Sequence, residues 1–246
     1  MNHFPTPHLE KLLSTFNNEK LPLSDKVRIE KVIEKYHAWI KALDMAYAEK
    51  NHLAILPKMV KLLNEYKIYI ELELIFNSTE DFLYRQKGQL KLDNSIIEEF
   101  IPRLMHESLI PGINELNIHM GPTTTFSAVY FATALGESNS GGGMAMRTKD
   151  QDFAISKKLY LKSSYDSEFK DTVITETNIA FVVTEIKTNL DKTMFQEACV
   201  TASDVKKSVS GAKYFLLCEW LDMLPVSTAP TDIEEILILR KAKRLN

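Results

Sequence analysis

Apolar residues recur at helical spacing through the N-terminal half of the chain and gather into short strand-like runs towards the C-terminus. Leu9, Leu12, Leu13 and Phe16 predict a first helix, broken at Pro22. From Ser24 a longer helix carries Val27, Ile29, Val32, Ile33, Tyr36, Trp39, Ile40, Leu43 and Met45, with Lys and Glu on its other face. A third starts at Leu56 or Pro57, carries Met59, Leu62, Leu63, Tyr66 and Ile70, and continues towards Phe76. Ser78 or Thr79 has the capping-box spacing to open a fourth past Phe82 and Leu83, and a fifth runs from Ser95 to Met105 before Pro111-Gly112. Such stripes predict a helical bundle core; the scattered Lys35, Lys41, Lys58, Lys61 and Lys67 predict a solvated face ahead of a wall for DNA.

Further along, Phe126, Tyr130 and Ala134 at spacing four predict a helix over 122–135. The loop after it, 136–143, takes four of the chain's eight glycines, which suits either a mobile connector or backbone N–H groups approaching a phosphate. A strand then begins over 149–155 with Asp152 at its mouth; 157–162 alternates around Leu159 and Leu161, and 163–170 is a polar excursion. The apolar run from Ile179 to Lys187 predicts a strand covered on both faces, with Phe181, Val183, Glu185 and Lys187 on one side and Ala180, Val182 and Ile186 on the other. Asn189, Asp191 or Thr193 caps a helix carrying Met194, Ala198, Val205 and Val209 as far as Gly211. Strands follow at 214–218 and 236–239, and then a basic tail, Arg240-Lys241-Ala242-Lys243-Arg244, expected as a solvated terminus. The organisation predicted is a helical N-terminal region, 1–115, and an α/β core, 116–246.

At 246 residues, 45% hydrophobic and 26% charged, the chain can bury a full core. It has no run of eighteen apolar residues and no secretory pattern at Met1, so a soluble protein acting in the cytoplasm, with no membrane partner, is expected. Cys199 and Cys218 lack metal-ligand spacing and predict buried thiols. A net charge of −3 argues against coating nucleic acid non-specifically, yet leaves room for a local DNA cleft.

The chemistry gathers at Glu185-Ile186-Lys187. Glu65-Tyr66-Lys67, Glu168-Phe169-Lys170 and Asp204-Val205-Lys206 share the spacing, but two lie in helical surroundings and the third in a polar segment. Only Glu185 and Lys187 close a buried strand, where charges need a partner. Two carboxylates on neighbouring strands, Asp152 and Glu185, offer hard oxygen ligands to Mg²⁺, and a lysine beside them polarises water or stabilises charge on a phosphate. That combination suits phosphodiester hydrolysis. Phosphate-binding loop, dinucleotide fingerprint and nucleophile elbow are all missing from the sequence.

On Asp152 and Glu185-Ile186-Lys187, the sequence resembles the PD-(D/E)xK nuclease superfamily. The run Ile179 to Ala198 is similar to type II restriction endonucleases, nearest to the family that includes the heterodimeric BbvCI-like enzymes. The resemblance implies an α/β fold with a mixed central sheet of the restriction-endonuclease-like type, flanked by helices. It also implies Mg²⁺ on Asp152, Glu185 and the Ile186 carbonyl, Lys187 acting on the water, and cleavage of double-stranded DNA at a short specific site. Gln151 stands where the family has proline, and the gap to Glu185 is long, so Asp150, Asp166 or Asp171 remain alternatives for the first acid. Glu137 is a candidate for an additional helix-borne acid, though a loop carboxylate is the favoured reading, and Gln196 for contacting phosphate or orienting the site, or equally for a polar helix position. A duplex break needs two such sites, so a homodimer or a paired homologous subunit is expected. The rival readings are a catalytically silent DNA-binding or regulatory subunit and a repair or phage exonuclease of the same fold.

Overall fold

In the computed structural model, which describes residues 4–78 and 80–240, the chain divides into two compact units between Leu116 and Asn117. The first unit is helical: α1 (Pro7–Phe16), α2 (Leu23–Ala46), α3 (His52–Tyr69) running on through a π-helical stretch (Ile70–Phe76), α4 (Phe82–Leu90) and α5 (Asn94–Arg103). Ile29, Val32, Tyr36, Trp39, Leu43 and Ala46 form the buried stripe of α2, facing Ile55, Met59, Tyr66, Ile70 and Leu74. Spacings of three and four put these residues on single helix faces, which is why the sequence pattern reads so directly. Trp39 stacks on Tyr66 with ring centroids 4.5 Å apart.

Two details depart from the pattern. The third helix begins at His52, capped by Asn51, and carries Pro57 inside it. Ser78 opens no helix but donates to Asp25 Oδ2 at 2.8 Å, so α4 starts at Phe82; the alternative cap, Thr79, lies outside the described residues. Three of the lysines considered for phosphate contact have acidic partners: Lys58 with Glu49, Lys61 with Glu65, and the buried Lys67 with Glu71.

The second unit is a five-stranded sheet in the order β1 (His119–Phe131), β2 (Met144–Ser163), β3 (Val173–Leu190), β4 (Lys213–Leu221), β5 (Glu235–Ile238). The first three strands are antiparallel neighbours; β3, β4 and β5 run parallel, with α6 (Lys192–Ser208) as the crossover between β3 and β4. A parallel pair requires such a crossover. Asp191 supplies the cap, its Oδ1 accepting from the Met194 N–H at 2.9 Å. On α6, Ala198, Thr201, Ala202 and Val205 form the buried face, and the small residues admit a core of Ala154, Ala180, Val183, Tyr214, Leu216 and Cys218.

The helix expected over 122–135 is an edge strand instead. Its spacing-four apolar residues were outweighed by pairing with β2 and by three consecutive threonines, which suit a pleated surface better than a helix. The glycine loop after it is packed at its far end, where Gly141 and Gly142 are buried, while 136–140 are exposed. Gly141 has φ +57°, and an added Cβ would lie 2.7 Å from the Ser163 carbonyl; at Gly143, with φ +63°, it would lie 2.5 Å from that of Ala132. Here glycine serves close approach of backbone to backbone.

A bulge also rearranges the faces of β3. Ile155 pairs with Val182 and Ser156 with Ala180, leaving Phe181 as the extra residue. Ala180 therefore joins Val183 in the core, while Phe181 is 41% exposed.

Candidate active site

Antiparallel pairing of β2 with β3 ends at Phe153 and Thr184. Before Phe153, β2 pairs with β1 alone; beyond Thr184, β3 pairs with β4 alone. The sheet thus divides where Asp152 and Glu185 stand. A bulge marks the place: Gly121 pairs with Ala154 and Thr123 with Gln151, so Asp152 and Phe153 both lie opposite Pro122. Proline offers no N–H to the ladder, and a bulge is where an edge strand tolerates it. The bulge aims the Asp152 carboxylate at β3, where Oδ2 accepts the Ile186 N–H at 2.8 Å.

Glu185 and Lys187, two apart on a strand, share a face. Their ion pair measures 2.7 Å from Nζ to Oε1, with both side chains mostly buried. The other carboxylate oxygen, Oε2, accepts from the Tyr214 hydroxyl of β4. Tyr214 pairs with Val183 in the parallel register, two residues before Glu185 on the same side. Burial works to lower the Lys187 amine, but hydrogen bonding to Glu185, its charge, and the charges of Asp152 and Glu197 leave it above the ordinary lysine value. The Tyr214 phenol is pushed up by burial first and then by Glu185.

Of the acids considered for the first position, Asp152 is the one whose described contact reaches β3. Asp150 accepts from the Thr124 hydroxyl, and Asp166 accepts from Glu168 and Lys170 N–H groups within its own loop. Asp171 lies exposed in that loop, its carbonyl accepting from Ser164. Glu137 is bonded to the Ala134 N–H and to Asn139 beside it in the β1–β2 connection. Gln196 is exposed on α6; from that helix it is Glu197 whose charge is felt by Lys187. Arg240, the first residue of the basic tail, folds back onto Glu219 at 2.8 Å, and Lys241 to Arg244 lie outside the described residues.

Tyr214 and Glu197 escaped sequence reasoning. Tyr214 was legible only as the start of an apolar run, because its approach to Glu185 depends on a parallel register between strands separated by a helix. Glu197 follows Asp191 by six positions, a spacing that carries no signal without knowing how α6 lies on the sheet.

Among the described residues, no three His, Cys, Asp or Glu side chains cluster as a ready-made metal centre. The carboxylate oxygens of Asp152 and Glu185, on neighbouring strands, are donors of the kind a hard divalent cation takes. Among the described residues, no helix is long and apolar enough to cross a membrane.

A model of the Bpu10I restriction endonuclease family matches residues 89–246, which includes the whole second unit and every residue of this site. The solved structure of a native BbvCI A2B2 tetramer at low resolution shares the fold, with a TM-score of 0.70 and 22% identity over 98% of this chain and 86% of that one. No curated protein matches.

Proposed function

The chain belongs to the Bpu10I restriction endonuclease family, and from that membership we propose that it is a type II, site-specific endonuclease hydrolysing double-stranded DNA with Mg²⁺. The observation that carries the reading is the meeting of Asp152, Glu185 and Lys187 at the division of the sheet. Asp152 and Glu185, with the Ile186 carbonyl, would hold Mg²⁺, which when bound supplies positive charge to the scissile phosphate. Lys187 stands beside them, its Nζ 2.7 Å from Glu185 Oε1. It acts on the attacking water or on the developing phosphorane charge. Gln196, exposed on α6, is assigned to the phosphate backbone. A cytoplasmic site of action goes with this reading.

One such site cuts one strand, so the working species contains two, as a homodimer or with a homologous partner. The A2B2 assembly of the BbvCI neighbour supports the second arrangement. Sedimentation of the purified chain is expected to show at least a dimer, or a monomer that nicks and makes duplex breaks only with a partner added.

Incubation with plasmid and with long linear DNA, with and without Mg²⁺, tests the activity. Discrete fragments that require Mg²⁺ are expected. A smear from free ends means an exonuclease, and intact DNA means a silent subunit.

A further inference from the structure

The two oxygens of Glu185 are held by groups of different kinds. Lys187 on Oε1 is charged, partly accessible and suited to reaction; Tyr214 on Oε2 is neutral and fully buried. We propose that Tyr214 is a positioning residue for Glu185, holding its carboxylate in the orientation that faces a cation shared with Asp152. This inference rests on the reading of Glu185 as a metal ligand and adds the group that orients it.

A glutamate side chain has three freely rotating bonds, so presenting its carboxylate in one orientation costs rotamer entropy unless something restrains it. Tyr214 is well placed to do so. Its ring shares a core with Ala198 and Ala202 of α6, and β4 delivers it two residues before Glu185 on the same face. A buried phenol needs a partner for its hydroxyl, and here that partner is Glu185. The restraint extends outward. The Thr201 hydroxyl of α6 lies beside the same phenol; it donates to the Glu197 carbonyl at 3.1 Å and accepts from Lys149 Nζ of β2. Lys149 on Thr201 and Tyr214 on Glu185 thus set two side-chain hydrogen bonds side by side across β2, α6, β4 and β3. An outer partner that fixes a ligating carboxylate is commonly worth ten- to a hundredfold in metal affinity.

The experiment measures Mn²⁺ binding to the full chain, by electron paramagnetic resonance of the free ion, alongside thermal unfolding. Tyr214→Phe keeps the ring and loses the hydroxyl. Its affinity is expected to fall about tenfold or more while the thermal midpoint stays close to wild type. Half-maximal cleavage should need correspondingly more Mg²⁺ and recover when Mg²⁺ is raised. Thr201→Val should shift affinity the same way by less, and it carries the test should Tyr214→Phe fail to fold. Glu185→Gln separates the two claims. Should Glu185→Gln bind Mn²⁺ like wild type, the ligand reading of Glu185 fails. Should it lose Mn²⁺ while folded Tyr214→Phe, or in its place Thr201→Val, binds like wild type, the positioning role is overturned. A lowered midpoint with unchanged Mn²⁺ affinity would make Tyr214 a packing residue only and would likewise overturn it.

Discussion

Asp152 Oδ2 accepts the Ile186 N–H at 2.8 Å across a sequence gap of 34 residues, joining the first acid to the strand that carries Glu185 and Lys187. The bond adds one side-chain rung where the β2–β3 ladder has run out. Asp152→Asn keeps an oxygen for that N–H but removes the charge. It is expected to leave the fold intact while weakening metal affinity and abolishing cleavage together. Asp166→Asn and Asp171→Asn, in the loop beyond β2, should change cleavage little. Plasmid cleavage by the three variants checks this, and a normal rate for Asp152→Asn with loss in either of the others would move the first acid into the loop.

Gly143 stands at φ +63° with the Ala132 carbonyl where a Cβ would go. Gly143→Ala must shift backbone in the β1–β2 connection, so it is expected to destabilise the chain by about 1–3 kcal/mol. Denaturant unfolding reads the change. An alanine variant as stable as wild type would mean the connection relaxes without cost.

Acid should loosen the helical unit through His8. This residue is fully buried, its ring nitrogens each 2.9 Å from the hydroxyls of Ser95 and Tyr66, and its pKa is lowered from 6.5 to about 3 by burial and by the charge of Lys67. Between those values the unfolded chain binds a proton that the native ring refuses, so stability falls as pH drops from 6.5 towards 3. The slope from this one group is at most about 1.4 kcal/mol per pH unit. Glu99, raised chiefly by burial, works the other way: the native carboxyl takes its proton first, which favours the fold as pH falls from that raised value towards 4.5. Replacing His8 removes only its own share. The stability advantage of wild type over His8→Gln should therefore shrink between pH 7 and pH 5, as measured by urea unfolding; a constant difference would contradict the assignment.

Much of the fold was legible because burial imposes period. The stripes of α2 and α3 face one core, and the run from Ile179 to Lys187 is a central strand, as apolar residues on both faces of a covered sheet require. The mixed sheet with flanking helices is the architecture that the resemblance implied. What stayed hidden depends on partners distant in sequence. Residues 123–131 fit helical spacing by their apolar members, and only the neighbouring β2 makes them a strand. Asp152 looked like the mouth of a strand, whereas β2 begins at Met144 and the bulge opposite Pro122 is what turns the carboxylate. Likewise the exposed Phe181 follows from a bulge that alternation cannot announce.

The central claim is that Glu185 and Lys187, with Asp152, form one DNA-cutting site, and Lys187→Ala tests it most directly. The ammonium sits at the edge of the core, 2.7 Å from Glu185, and its loss removes a charge without removing a fold element. Plasmid cleavage in Mg²⁺ should fall by about a hundredfold or more, as loss of one preorganised charge commonly brings, while DNA binding in Ca²⁺ and the thermal midpoint stay near wild type. A Lys187→Ala protein that binds DNA and still cuts at the wild-type rate would contradict it.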